Sequence, residues 1–472
     1  MSVIDPKAIL AGQTRRGVPA GAIVAIAASS VCLVMFLGLF LIIGGASFIV
    51  AAILSMITLV PMMAGVLALD RLEPEPMFML AMAFLWGAGT STIVSLLLEN
   101  LGFVALQPGL GDDTADVVGV VVLAPVVEET MKALVLFGIF WFRRSEINGI
   151  TDGIVYAATT ALGFAAAENI VYYISSAEEG VGSLAAVFIV RGILSPFCHP
   201  VFTSMTGVAL ALAVRRKSLA ARIFLPLGGL LLAMALHGFW NGSTIFGLGG
   251  LGVAFLVVIG AMIGLLVAVH VERKHTVAKI QACAAQYVPT GLVTYADLIM
   301  LSSLDTRKQA RNWARATHGK NGFDAMSDYQ MACTKLAMLH DRAEHGMVSP
   351  QDFEVQRSNL LMLMKVARQA FLGPTQYMSV PMMATPARPT WQQPYQPAIP
   401  VQPVPAYQPP QPYQPTPSYP PPQQYPPVPS YPPPQQYPPP QQYPPPVQPP
   451  APTVPTQPFW PGFQPPAQQG PY

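Results

Sequence analysis

Apolar residues over the first 271 positions fall in long unbroken blocks rather than at a strand or amphipathic-helix period. A helix needs ~20 apolar residues to cross a bilayer. Eight blocks qualify, at about 20–44, 47–69, 77–98, 117–141, 152–174, 184–213, 223–244 and 251–271. Only Gly44, Gly45 and a few small residues part the first two. The sixth is long enough to be tilted or broken, and Pro196 and Pro200 favour a kink there. The first block follows Lys7, Arg15 and Arg16 as a signal peptide would, but it is too long for such a core and reads as an uncleaved first span. The pattern predicts an all-α, polytopic membrane helix bundle with about eight transmembrane helices.

After the eighth block the pattern changes twice. Residues 272–372 carry helix signals but no long apolar run: Asp305 is placed to cap TRKQARNWARA, and Ser349, Pro350 and Asp352 supply a cap, a first-position proline and a near-capping box. Three or four short cytoplasmic helices are predicted, and LHDRAEHGMVSPQDFEVQRSNLL resembles the short helix pairs appended to many bacterial proteins as oligomerisation modules. From Gly373 onward lie 38 of the chain's 50 prolines, in units such as YPPPQQ. That Pro/Gln/Tyr-rich tail lacks the aliphatic residues that offset the entropy of folding, so disorder with polyproline II character is expected. It reads as a spacer or as a ligand for a proline-reading partner. The chain therefore divides into an N-terminal segment (1–19), a transmembrane domain (20–271), a helical region (272–372) and the tail (373–472).

Composition agrees with the blocks. The chain is 52% hydrophobic and 11% charged, against roughly 25% charged in soluble proteins, which makes it a membrane protein. A net charge of +2 without a clustered basic face excludes a nucleic-acid partner. Cys32, Cys198, Cys283 and Cys333 are too widely spaced for a CxxC motif or a disulfide framework. Lysine and arginine also give an orientation. They fall on alternate loops, at Lys7, Arg15 and Arg16, at Arg71, at Arg143 and Arg144, at Arg215, Arg216, Lys217 and Arg222, and at Arg273 and Lys274; loops 99–116, 175–183 and 245–250 have none. By the positive-inside rule both termini are cytoplasmic, and the loop with Asp112, Asp113 and Asp116 is external.

Against this background the ionisable residues inside the blocks stand out, because each costs at least ~2.5–3.5 kcal/mol at a bilayer centre. They are Glu128, Glu129 and Lys132 in span four, Glu168 in span five, Arg191 and His199 in span six, and His237 in span seven. Counting at ~1.5 Å per residue sets them at similar depth on four helices, able to meet around one polar cavity. At ~100° per residue Lys132 lies between the two carboxylates, able to neutralise one, Glu129 for preference, and leave Glu128 free. His199 shares a face with Thr203, and His237 with Asn241. Glu128, Glu168, His199 and His237 form a donor set for a divalent metal, zinc above all, whose bound water would be acidified. In a metal-free version Glu128 activates water directly, and His237 and Asn241 donate to the oxyanion. Both versions point to hydrolysis. Cys198 reads as a small buried hydrophobe, Arg191 as an anchor or carboxylate partner, Asp70, Glu73 and Glu75 as a turn held by Pro74 and Pro76, and His270 and His275 as interfacial.

The set EETMK, GFAAAEN, RGILSPFCHPVFT and HGFWN, with LDRLEPEP before span three, resembles the PrsW family of intramembrane proteases over roughly residues 50–271. That family is related to the CAAX prenyl endopeptidases and more distantly to a scaffold subunit of gamma-secretase. The resemblance implies catalytic roles for Glu128, Glu129, Glu168, His199 and His237. It implies cleavage of membrane proteins near the bilayer, single-pass anti-sigma factors among them. The prenyl endopeptidases have histidine where Glu168 stands. Two other functions fit the same polar set: a proton or cation pathway, and a catalytically silent scaffold that binds membrane helices. No inverted repeat is detectable, which weighs against a transporter.

Overall fold

The structure is a computed structural model and describes residues 19–143, 146–147 and 149–372. Lys7, Arg15, Arg16, Arg144 and the tail from Gly373 lie outside the described residues, and so do the expectations attached to them. Among the described residues every regular element is helical. Helix α1 is Ala20–Gly44 and α2 is Ala46–Leu69. The chain turns between them at Gly45, whose φ of 50° suits a residue without a Cβ. Helix α3, Met77–Leu110, contains a π-helical segment at Trp86–Ser91. It runs well past the expected end at residue 98, taking Pro108 and Gly109 into its last turn, and ends at Gly111 at φ 76°. The external loop expected at 99–116 is therefore mostly helix.

After Gly111 come Asp112–Val118, a second π segment at Gly119–Leu123, and helix α4 at Ala124–Phe142. Helix α5 is Ile150–Glu179. Helix α6, Val181–Val187, passes into a third π segment at Phe188–Leu194. The chain then breaks at Ser195–Phe197 before α7, Cys198–Val214. The expected kink is thus a full interruption, with Pro196 in the gap and Pro200 in the first turn of α7, where a missing N–H costs no helical bond. Helix α8 is Leu219–Ser243, and a single 3₁₀ turn, Thr244–Phe246, joins it to α9, Gly247–Ala285. Helix α9 runs without a break across the boundary expected at residue 271.

Among the described residues six helical stretches are long and apolar enough to cross a membrane, by length and composition alone, and one of them, Leu219–Thr290, contains both α8 and α9. Helix α4, with its three charges, is not among the six. Helix α5 forms the centre: 89% of its most apolar window is buried, whereas α1 buries 11%. It packs on α2, α3, α4, α7 and α9. Its small residues permit this. A Cβ on Gly153 would meet the Gly207 carbonyl oxygen of α7 at 2.3 Å, and one on Gly163 would meet the Phe84 carbonyl oxygen of α3 at 2.2 Å. Such small-residue contacts are how helices approach closely where water offers no driving force.

On the side of the bundle carrying Arg215 and Arg273, α9 ties elements together. The Glu272 carboxylate accepts from the backbone N–H of Ile150 (2.7 Å) and Thr151 (2.6 Å) and from the Thr151 hydroxyl (2.7 Å), satisfying orphan donors at the start of α5. Beside it Asp70 accepts from the Glu75 N–H at 2.6 Å, and Tyr156 donates a short bond to Glu75. Burial raises the Asp70 carboxyl to about 6.

The helical region builds its own core. Helix α10 is Tyr295–Met300, α11 Leu304–Glu344 and α12 Pro350–Leu372. Tyr287, Tyr329, Leu339, Phe353 and Leu363 are buried between α9, α11 and α12. Helix α11 is longer than the short helices expected, though His318 and Gly319 interrupt it with non-helical backbone. Its cap also differs: the Ser303 side chain accepts from the Thr306 N–H, which leaves Asp305 inside the first turn. At α12 the Ser349 hydroxyl caps Asp352 as the sequence indicates.

Candidate active site

Helix α4 delivers three charges to the interior because Glu128, Glu129 and Lys132 lie within about one turn of one another on its buried side. Lys132 is 0% exposed. Its ammonium donates to Glu129 Oε1 at 2.7 Å, to Glu128 Oε2 at 3.2 Å and to His199 Nδ1 at 3.2 Å. Three protons thus meet three acceptors, and the Phe164 ring of α5 lies 4.1 Å from the same nitrogen. The lysine serves both carboxylates, and holds Glu129 more tightly.

The two glutamates differ in what surrounds them. Glu129 is 0% exposed and is held on three sides, by Lys132, by the Thr203 hydroxyl at 2.8 Å and by His237 Nδ1 at 3.2 Å. Glu128 lies 3.9 Å from His237 Nδ1 and lines a cavity of about 610 Å³. His199, His237 and Glu168 line the same space. Helices α2 to α5 and α7 to α9 contribute to the wall, as does the π segment that follows α6.

Partners fix the tautomers of both imidazoles. Lys132 can only donate, so Nδ1 of His199 accepts, and Nε2–H donates to Glu168 Oε2 at 2.9 Å. The Glu129 carboxylate can only accept, so Nδ1 of His237 carries a proton and a neutral ring keeps its lone pair on Nε2. The two rings lie 5.0 Å apart, nearly perpendicular, and Phe202 stacks on His237 at 5.1 Å.

Glu168 is reached by Arg191 at 2.5 Å as well as by His199, and Arg191 also donates to Asn169 at 2.9 Å. The guanidinium lies 3.8 Å from the Tyr172 ring. Thus Glu168, expected among the metal ligands, sits one step back and orients His199. Among the described residues of this site, Glu128, His199 and His237 are able to share one ion, their ligand atoms lying within 4.8 Å of one another. Asn241, expected to act with His237, lines the cavity but gives its amide to the Val120 carbonyl oxygen at 2.9 Å. Cys198 is buried and free.

Several wall residues were not among the sequence candidates. Glu99 is one, assigned to a loop but carried into the cavity by the extension of α3. Asn169 adjoins Glu168 in the quoted motif, and Phe164 is its second residue, so a signal for both was present. Nothing in the linear pattern distinguishes Glu99 from a loop acid.

A polar, charged centre held at the meeting point of apolar helices defines a multi-pass membrane protein with a site inside its bundle. Residues 75–279 match the PrsW family intramembrane metalloprotease. Among curated relatives, the Protease PrsW of Clostridioides difficile is 32% identical over 158 residues, covering 33% of this chain and 63% of that protein. The Protease PrsW of Geobacillus kaustophilus is 28% identical over 162 residues, covering 33% and 66%. The chain thus spans less than two thirds of either relative. No solved structure matches it.

Proposed function

We propose that the protein is an intramembrane endopeptidase that hydrolyses peptide bonds of membrane proteins with water activated at Glu128. The observation that carries this is the division of labour within the Glu128–Glu129 pair. Glu129 is spent on Lys132, Thr203 and His237, while Glu128 faces the cavity beside two imidazoles. A carboxylate so placed can take a proton from water and return it to the leaving amine.

Glu128, His199 and His237 fit a divalent ion by donor type and proximity, and zinc suits two imidazoles with one carboxylate. When bound, such an ion supplies an acidified water. His237 is prepared for the ligand role, since its Nδ1–H is held by Glu129 and its Nε2 lone pair is free. The same tautomer argues against His237 as an oxyanion donor. His199 has both nitrogens engaged, so to bind an ion it exchanges Lys132 or Glu168. Glu168 and Arg191 orient that ring.

We read eight crossings rather than six, counting α4, whose charges face the interior, and counting α8 and α9 separately. Both termini are then cytoplasmic, with 272–372 and the Pro/Gln/Tyr tail on the same side. Substrates are membrane proteins, single-pass anti-sigma-factor-like proteins among them. The test is purified protein in detergent, with and without chelator, incubated with a panel of single-pass membrane proteins. Cleavage of a panel member that chelator suppresses and zinc restores is expected; a panel left intact by well-folded protein would count against proteolysis.

A further inference from the structure

Charge around the cavity does not balance. Among the described residues that line it are four carboxylates, Glu99, Asp116, Glu128 and Glu168, and one guanidinium, Arg191. Arg191 is committed to Glu168 and Asn169. Behind the wall, Lys132 has all three protons engaged. A divalent ion at Glu128, His199 and His237 would still leave the lining acidic.

Glu99 is where the imbalance is local. Its Oε1 is shielded from solvent and has no hydrogen-bond partner. A carboxylate oxygen without a donor is costly, and the Glu99 side chain, half-buried in the cavity wall, is placed to turn toward a donor that arrives from outside. Of its neighbours in the wall, Asn100 donates to its own helix at Leu96 and Asn241 to Val120, while Ser95, one turn earlier, offers a neutral hydroxyl and no charge. Glu99, Asn100, Asp116, Tyr172 and Asn241 are also among the wall residues that retain exposure, so they form the open side of the cavity. The segments on that side, 99–116, 175–183 and 245–250, hold no lysine or arginine.

We propose that Glu99 is a specificity-determining residue that receives the ammonium or guanidinium of a lysine or arginine in the substrate, close to the scissile bond. This rests on the proteolytic reading above. The donor comes with the substrate, and Asp116 adds attraction at the rim. A substrate lacking that side chain leaves Glu99 unpaired, which is the asymmetry by which polar pockets discriminate strongly.

The test takes a single-pass membrane protein that the enzyme cleaves and places Lys, Gln or Glu in turn at each position within ten residues of the cleavage site. At one position Lys should be preferred over Gln by about tenfold or more in kcat/KM, mainly through KM. In Glu99→Gln that ratio should fall to near one, and Glu99→Lys should turn the preference toward Glu. No Lys preference at any position, or a preference retained in Glu99→Gln, overturns the proposal. A second arm needs no cleavage: binding of fluorescent transmembrane peptides with Lys or Gln at the scanned positions, to wild type and Glu99→Gln in detergent. If no protein is cleaved yet Lys peptides bind tighter in a Glu99-dependent way, recognition stands and proteolysis falls. Equal binding of Lys and Gln peptides overturns the recognition.

Discussion

Replacing Lys132 by methionine removes the cation on which the buried centre depends while keeping most of its volume. In the native protein its ammonium answers Glu129 at 2.7 Å, Glu128 at 3.2 Å and His199 Nδ1 at 3.2 Å, with no exposure to water. Breaking a buried pair by removing one partner costs about 3–5 kcal/mol, because the other charge stays behind unpaired. Here two carboxylates stay behind. Glu129 is the worse placed, being 0% exposed, whereas Glu128 is 4% exposed and faces the cavity. Lys132→Met should therefore lower stability by at least about 3 kcal/mol in reversible unfolding of the purified protein in mixed micelles, followed by circular dichroism. Lys132→Met with Glu129→Gln should recover most of the loss, since the amide fills the same space without a charge. Lys132→Met with Glu128→Gln should recover less. Wild-type stability in the single variant, or better rescue through Glu128 than through Glu129, would refute the assignment of Lys132 as the partner chiefly of Glu129.

Two further outcomes can be checked independently. Burial raises Asp70 from its ordinary 3.8 to about 6, so its contribution to stability is fully present below pH 4 and is lost as pH rises through 6. Asp70→Asn, whose amide oxygen can still accept from the Glu75 N–H, should match wild type near pH 4 and exceed it by up to about 3 kcal/mol at pH 8; equal pH slopes in thermal melts would contradict this. A topology reporter fused at Gly180 should read external and one at Ser218 cytoplasmic, with the opposite readings overturning the proposed orientation.

How much of this was legible in the sequence depended on the kind of signal. The apolar blocks gave the helices, because in a bilayer hydropathy and length dominate every other preference. Helix ends were less legible: α3 overran its expected end at 98 by twelve residues, passing through Pro108 and Gly109 before Gly111 ends it. Helical periodicity indicated that Lys132 would lie between the two glutamates, as it does. What periodicity does not carry is contact between helices. Arg191 with Glu168, Glu129 with Thr203, and the withdrawal of Glu168 from the group able to share an ion all depend on how α4, α5, the third π segment, α7 and α8 rotate against one another. Nor does the sequence announce that Glu272, more than 120 positions away, caps α5. Glu99 was missed for both reasons, a misplaced helix end and an unseen interhelical cavity.

The central claim is that Glu128 is kept in the membrane for chemistry rather than for packing. The most direct measurement is the rate at which purified Glu128→Gln enzyme cleaves a defined single-pass substrate, beside wild type of equal stability and insertion. The amide keeps the volume but neither activates water nor binds a metal well, so cleavage should fall by about 10²–10⁴-fold or vanish. Correctly folded Glu128→Gln protein that cleaves the substrate at the wild-type rate would contradict the account.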